Sequence, residues 1–264
     1  MPGLKLKSKT IYKLNGFFFN HYLGGIYMKK THVMYDGYAI NNDLISKDKF
    51  MYDFLGQTNK TIFNNQCLQT IVPYFNGKVK VMGGVSGMLL GDNMHFTCHT
   101  FSYLNCVFID YFGDEKNGDA VKFLIDDTFK TQDYSYCDDN ENKKGNFGKH
   151  LIITTNNIKG FIFYQNQIKN ILRDIEMTPI HSLLSRRVDE ETFDLLQLIA
   201  ESHISIHANG QIAYIDVFSC KDFDEQKVMN LFPKILDAKI VNRGISFPTE
   251  DEIIEKEKAL IKSL

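Results

Sequence analysis

The chain carries two versions of one plan. Gly87 to Asp114, "GMLLGDNMHFTCHTFSYLNCVFIDYFGD", and Leu195 to Asp222, "LLQLIAESHISIHANGQIAYIDVFSCKD", share an order of features. Each has an apolar run, then an HxxxH pair (His95/His99 and His203/His207), then an apolar run around an aspartate (Asp110 and Asp216). Such self-similarity constrains the fold more than any single segment, because each copy must bury a hydrophobic face and the other copy is at hand to cover it.

The copies extend in both directions. "THVMYDGYAINNDLI" from Thr31 and "KHLIITTNNIKGFIF" from Lys149 each open with a strand led by a histidine. "DLISKDKFMYDFL" and "QNQIKNILRDIE" follow with apolar residues at helical three-to-four spacing, and "NGDAVKFLIDDTF" and "FDEQKVMNLFPKIL" repeat that spacing after each HxxxH hairpin. The expected fold is α+β: two tandem antiparallel sheets, each with helices on one face, forming an α/β/β/α pseudo-dimer within one chain. Residues 1–27 read as an extension before Met28, 28–130 as the first repeat, 131–146 as a polar linker nearly free of aliphatic residues, and 147–264 as the second repeat. The tail "TEDEIIEKEKALIKSL" reads as a capped amphipathic helix. Alternation along the second hairpin sets His203, Ser205 and His207 on one face and Ser202, Ile204 and Ile206 on the other. Read alone, that polar face would be turned to water.

A formal net charge of −2 gives no electrostatic reason to bind nucleic acid or an anionic membrane. No apolar run reaches the roughly 18 residues of a membrane span, and no convincing signal-peptide cleavage site is present. Five cysteines, Cys67, Cys98, Cys106, Cys137 and Cys220, are odd in number and form no CxxC pair, which suggests a reducing, cytoplasmic setting. The HxxxH pairs raise a metal site, but they stand on strands, lack the helical spacing of zinc enzymes, and have no further clustered ligand. No metal is expected, and His95 and His203 read as structural residues bonded within their sheet.

At "IAESHISIH" and "IDVFSC" the second copy resembles the S-adenosylmethionine decarboxylases, pyruvoyl-dependent enzymes of spermidine biosynthesis. The resemblance implies that the Glu201–Ser202 bond cuts itself, that Ser202 becomes the pyruvoyl group, and that Cys220 acts in catalysis. In the first copy, Gly84-Val85-Ser86-Gly87 matches the family's GVSG motif, with His99 thirteen residues after Ser86. The losses are complementary. The first copy has Met94 in place of the cleaving serine and Asp114 in place of the cysteine, and the second has Asp194 in place of the motif serine. The resemblance therefore implies one composite site, Ser202 and Cys220 from the second copy with Ser86 and His99 from the first.

In the chemistry so implied, Ser202 attacks the Glu201 carbonyl, Ser86 donates to the tetrahedral intermediate, and His99 serves as base for elimination. The pyruvoyl carbonyl then forms a Schiff base with an amine substrate and supplies the electron sink without pyridoxal phosphate, and Cys220 returns a proton. Substrate contacts depart from the family. Lys80 stands where a phenylalanine would stack on adenine, and Tyr103 where a glutamate would bind ribose, while Tyr103 and Phe147 offer aromatic faces of their own. S-adenosylmethionine is the first expected substrate, a smaller amine such as ornithine or arginine the second, and an unprocessed regulatory paralogue the third reading. Pairing of the fused units into a further homodimer stays open.

Overall fold

The computed structural model describes residues 21–23, 26–28, 30–38, 40–75, 83–130, 134–137, 144–146, 149–156, 160–200, 202–210, 212–219, 223–236 and 239–248. A small hairpin, β1 (His21–Leu23) and β2 (Ile26–Met28), precedes the first copy. That copy runs β3 (Lys30–Gly37), α1 (Asn42–Ile45), α2 (Asp48–Thr61), β4 (Leu68–Phe75), β5 (Gly83–Gly91), β6 (Met94–Phe101), β7 (Cys106–Asp114), α3 (Glu115–Phe129) and β8 (Tyr134–Cys137). The second runs β9 (Lys144–Asn146), β10 (Lys149–Asn156), α4 (Phe161–Asp174), β11 (Leu184–Arg187), β12 (Thr192–Ile199), β13 (Ser202–Asn209), β14 (Ile212–Ser219), α5 (Glu225–Leu236) and β15 (Lys239–Pro248).

The two sheets have one topology. The first is ordered β4-β5-β6-β7-β3-β8 and the second β11-β12-β13-β14-β10-β15-β9, so the six strands of the first copy match β11 to β15 with β10 position for position. β9 is an addition, paired parallel to β15. The fold is the expected α+β duplication.

Helix periodicity places the outer layers. Met51, Phe54, Leu55 and Thr58 of α2 and Val121, Leu124, Ile125 and Phe129 of α3 are buried at three-to-four spacing and join the core with Val85, Leu89, Phe96, Val107 and Ile109 of the first sheet. In the second copy Tyr164, Ile168 and Ile171 of α4 and Val228 and Phe232 of α5 cover Ile153, Leu195, Ile204, Ile206 and Ile215. The strands between these layers are buried on both faces: all eight residues of β6, and every residue of β13 except Asn209, are buried. The polar face of the hairpin is thus turned not to water but to the other sheet. Around it the sheets meet through Met88 and Leu90 with Leu196 and Leu198, through Phe108 with Phe218, and through Phe112 with Ile152 and Tyr214.

The GVSG glycines are required by close packing. A Cβ on Gly84 would lie 1.6 Å from the backbone oxygen of Thr100, and one on Gly87 would lie 2.5 Å from Leu55 Cδ1. The first lets β5 approach β6 as its register demands; the second lets α2 settle on the sheet.

The stretch read as a linker is partly strand. Tyr134–Cys137 adds β8 to the first sheet, and Lys144–Asn146 forms β9; the tyrosines of "YSYC" are residues that strands favour. Likewise β1 and β2 fall within the stretch read as an extension, and the terminal helix expected from Thr249 lies outside the described residues. Among the described residues, no helix is long and apolar enough to cross a membrane.

Candidate active site between the two copies

Six of the eight histidines meet between the sheets, and their arrangement follows from matching registers. In the first copy β5 and β6 pair Ser86 with His99. In the second, β12 and β13 pair Asp194 with His207 at the equivalent position. Each pair closes a side-chain hydrogen bond, Ser86 Oγ to His99 Nδ1 at 2.9 Å and Asp194 Oδ1 to His207 Nδ1 at 2.7 Å. The free nitrogens reach across the interface, His99 Nε2 to His203 Nδ1 at 3.2 Å and His207 Nε2 to His95 Nδ1 at 2.7 Å. Asp110 joins these arms: its Oδ2 accepts from His95 Nε2 at 3.0 Å and from His203 Nε2 at 3.1 Å. His32 bonds to the other Asp110 oxygen, and His150 bonds to Asp216 in the symmetric place. Tyr214 Oη lies 2.9 Å from His32 Nδ1.

All of these groups are buried. Burial alone would raise the Asp110 pKa, but the His32 and His95 imidazoles and the hydrogen bonds from His203 and His32 hold it well below the ordinary carboxylate value. Asp216 is depressed in the same way, mainly by His150 against the opposing effects of burial and of Asp110. For His203, burial favours the neutral form, yet hydrogen bonds to Asp110 and Asp216 win and push its pKa up to about 9. For His99, burial and the neighbouring His203 drive it well below its ordinary value. The site therefore sets a charged imidazole beside a neutral one, near the start of β13.

One nitrogen or oxygen each from His32, His95, Asp110 and Asp216 lie within 4.8 Å of one another, the spacing of a cation cage. Imidazole nitrogens bond to both Asp110 oxygens, whereas Asp216 Oδ2 is buried without a hydrogen-bond partner among the described residues, 3.5 Å from His95 Nε2 and from His203 Nε2.

The profile of the S-adenosylmethionine decarboxylase family matches residues 31–138 and 154–244, both copies and well over half of the chain. The chain belongs to the S-adenosylmethionine decarboxylase family. The crystal structure of the adenosylmethionine decarboxylase from Aquifex aeolicus is similar over 42% of this chain and 88% of its own, with 17% sequence identity and a TM-score of 0.34. No curated protein matches the chain.

Of the residues this S-adenosylmethionine decarboxylase relative was expected to use, Ser86 and His99 are brought into direct contact. Ser202 opens β13, one residue from His203 and hence one residue from the ring that touches His99. It pairs with Ser219, the residue before Cys220. Its backbone is strained, with a φ of 149°, in a region that glycine alone occupies readily. Its Oγ is buried without a hydrogen-bond partner among the described residues. Glu201, Cys220, Lys80 and Phe147 lie outside the described residues; Tyr103 falls in a 3-10 turn, Ser102–Leu104, and its side chain is not described.

Face alternation does not separate His207 from His99, since both stand in the inter-sheet layer. Position along the strand does. His207 is five residues, roughly 17 Å, along β13 from Ser202, whereas His99 touches Ser202's neighbour. The expectation for His95 and His203 needs correcting as well: both make bonds across the interface. Asp110, Asp216, His32 and His150 were not singled out as site residues, although each recurs at the same place in both copies.

The other end of the pseudo-dimer, where a second site would stand, is closed. Met94 is buried with its sulfur 3.4 Å from Cys67 Sγ. Asp194 accepts from the Asn93 backbone N–H at 3.1 Å and lies 3.6 Å from Arg186. Asp114 pairs with Lys30 at 2.7 Å.

Proposed function

We propose that the chain is a self-processing, pyruvoyl-dependent S-adenosylmethionine decarboxylase that cuts itself between Glu201 and Ser202. The observation that carries this reading is the meeting of Ser86 and His99 from one copy with His203, the residue next to the strained Ser202, from the other. The Ser202 Oγ attacks the Glu201 carbonyl carbon, the C–N bond breaks, and an ester forms. Ser86 donates to the oxyanion of that step in this reading. A base, His99, then removes the Ser202 α-proton while the Glu201 carboxylate leaves. Water displaces ammonia from the resulting unsaturated residue, and the new amino terminus is a pyruvoyl group.

The buried, unpartnered Ser202 Oγ suits a side chain that is held for reaction rather than for packing. Once formed, the pyruvoyl carbonyl would supply the electron sink for loss of carbon dioxide from an amine substrate. Cys220, following the residue paired with Ser202, is the proposed proton donor in turnover. A thiol of ordinary pKa, about 8.5, is mostly protonated at neutral pH and can still donate.

Intact-mass analysis tests the reading directly, with two chains expected, the second beginning at a pyruvoyl-blocked position 202; one uncut chain would reject it in favour of a regulatory role. Ser86→Ala is expected to slow cutting by roughly 10²-fold, the usual cost of one oxyanion donor, measured as uncut fraction against time. Cys220→Ala should still be cut but release carbon dioxide roughly 10²-fold more slowly, as loss of a positioned acid predicts. Lys80 and Tyr103, in place of the family's adenine-stacking and ribose-binding residues, favour a second substrate reading, a smaller amino acid such as ornithine or arginine. Carbon dioxide release from the three compounds under identical conditions decides between them.

A further inference from the structure

The self-processing reading asks the Ser86 hydroxyl to donate to an oxyanion, yet its oxygen is already bonded to His99 Nδ1 at 2.9 Å. Whether Ser86 is donor or acceptor in that bond depends on which nitrogen of His99 carries hydrogen. The other nitrogen, Nε2, faces His203 Nδ1 at 3.2 Å. His203 Nε2 in turn faces Asp110 Oδ2 at 3.1 Å, and an ionised carboxylate only accepts. We propose that His203 is a positioning residue for His99 in the ester-forming step: doubly protonated, it donates from Nδ1 to His99 Nε2, fixes His99 as the Nδ1–H tautomer, and so leaves the Ser86 O–H free for the oxyanion, the Nε2 lone pair being released from His203 only for the later elimination.

Hydrogen counting along the interface supports this assignment. From Asp110 to Ser86 there are three links, through His203 and His99. With both rings neutral, the third hydrogen must come from Ser86 itself, which spends the hydroxyl on His99. One extra proton on His203 supplies it instead. From Asp110 to Asp194 there are also three links, of 3.0, 2.7 and 2.7 Å, through His95 and His207. Both ends of that arm are carboxylates, so all three bonds form only with one proton more than two neutral rings hold.

The titratable groups facing His203 are Asp110 on β7, Asp216 on β14 at 3.5 Å, His95 and His99 on β6, and His150 on β10, and Thr97 Oγ1 lies 3.4 Å from its Nδ1, farther than His99 Nε2. Two carboxylates outweigh burial and keep it charged up to about pH 9. Above that value His203 keeps only its Nε2 hydrogen, His99 becomes the Nε2–H tautomer, and the Ser86 hydrogen is drawn back to His99.

The inference rests on the self-processing reading, and two arms separate their failures. In uncut Ser202→Ala protein with isotopically labelled histidine, ring-nitrogen NMR should show His99 with Nδ1 protonated and Nε2 bare at neutral pH, and the reverse above about pH 9; assignment is by loss of the signals in the added His99→Gln variant. Nε2–H at neutral pH overturns the inference whether or not the native chain is ever cut. In the cleavable chain, His203→Leu should cut roughly 10²-fold more slowly. His203→Asn, whose amide can donate at any pH, should restore most of that rate and abolish the fall in cutting rate on the alkaline side. Equal rates for leucine and asparagine, or an alkaline fall surviving in His203→Asn, also overturn it. A native chain that is never cut rejects self-processing instead.

Discussion

Ser202→Ala is expected to leave a single uncut chain of about 30.5 kDa that no carbonyl reagent labels, whereas the native protein should yield two chains, one reactive with a hydrazine. The effect is complete rather than graded, because the hydroxyl is the nucleophile, and its loss with the Glu201 carboxylate creates the unsaturated residue that water converts to the carbonyl. A neighbouring serine cannot replace it: Ser205 lies three residues along β13, roughly 10 Å away. The same position offers a test that needs no chemistry. At a φ of 149°, a residue with a Cβ is strained by about 1 to 3 kcal/mol, and glycine is not. Uncut Ser202→Gly should therefore be more stable than uncut Ser202→Ala by about 1 kcal/mol once glycine's extra unfolded entropy is subtracted. Urea midpoints compare them, and equal or reversed stabilities would show that the bond to be cut is not held under strain.

The duplication, the order of strands and helices, and the complementary losses at Met94, Asp114 and Asp194 were all legible in the sequence, because a repeat displays its own alignment. Ser86 and His99 were legible as a pair for the same reason, their spacing being fixed by one hairpin. What could not be read was the interface. A strand with apolar residues on one face and histidine, serine and aspartate on the other looks half-exposed, and only a second strand of the same kind, buried against it, turns that polar face into a core. His32, His150, Asp110 and Asp216 each sit at a position repeated in both copies, and that was the available signal. The bonds of His32 to Asp110 and Tyr214, of His150 to Asp216 and of Asp110 to His203, within each sheet and across the two, join residues 66 to 182 positions apart, which no local pattern encodes. The short strands β8 and β9 were hidden by polar composition, as edge strands with few aliphatic residues often are.

Asp110→Asn should destabilise the uncut Ser202→Ala protein by about 3 to 5 kcal/mol, the usual cost of removing one partner from a buried, hydrogen-bonded charge cluster. The carboxylate accepts from His32, His95 and His203 together. An amide in its place turns a donor toward at least one imidazole N–H and leaves His203 without its nearest anion. The pH dependence of stability carries the same signature. Asp110 and Asp216 titrate lower in the folded than in the unfolded protein, so their contribution is present above about pH 4 and is lost as the pH falls toward their folded values. His99 and His207 are also depressed, and because the unfolded chain takes up protons there first, they too erode stability as the pH drops below about 6.5. His203 is raised to about 9, so its contribution is complete below about pH 6.5 and disappears as the pH climbs through 9. Stability should accordingly peak near neutrality and decline on both sides. Asp110→Asn removes one of the two hydrogen bonds that raise His203, and should flatten the alkaline decline as well as lower the maximum. A substitution that merely loosened packing would lower the whole curve and leave its alkaline slope unchanged, and urea titrations at pH values on either side of 9 distinguish the two.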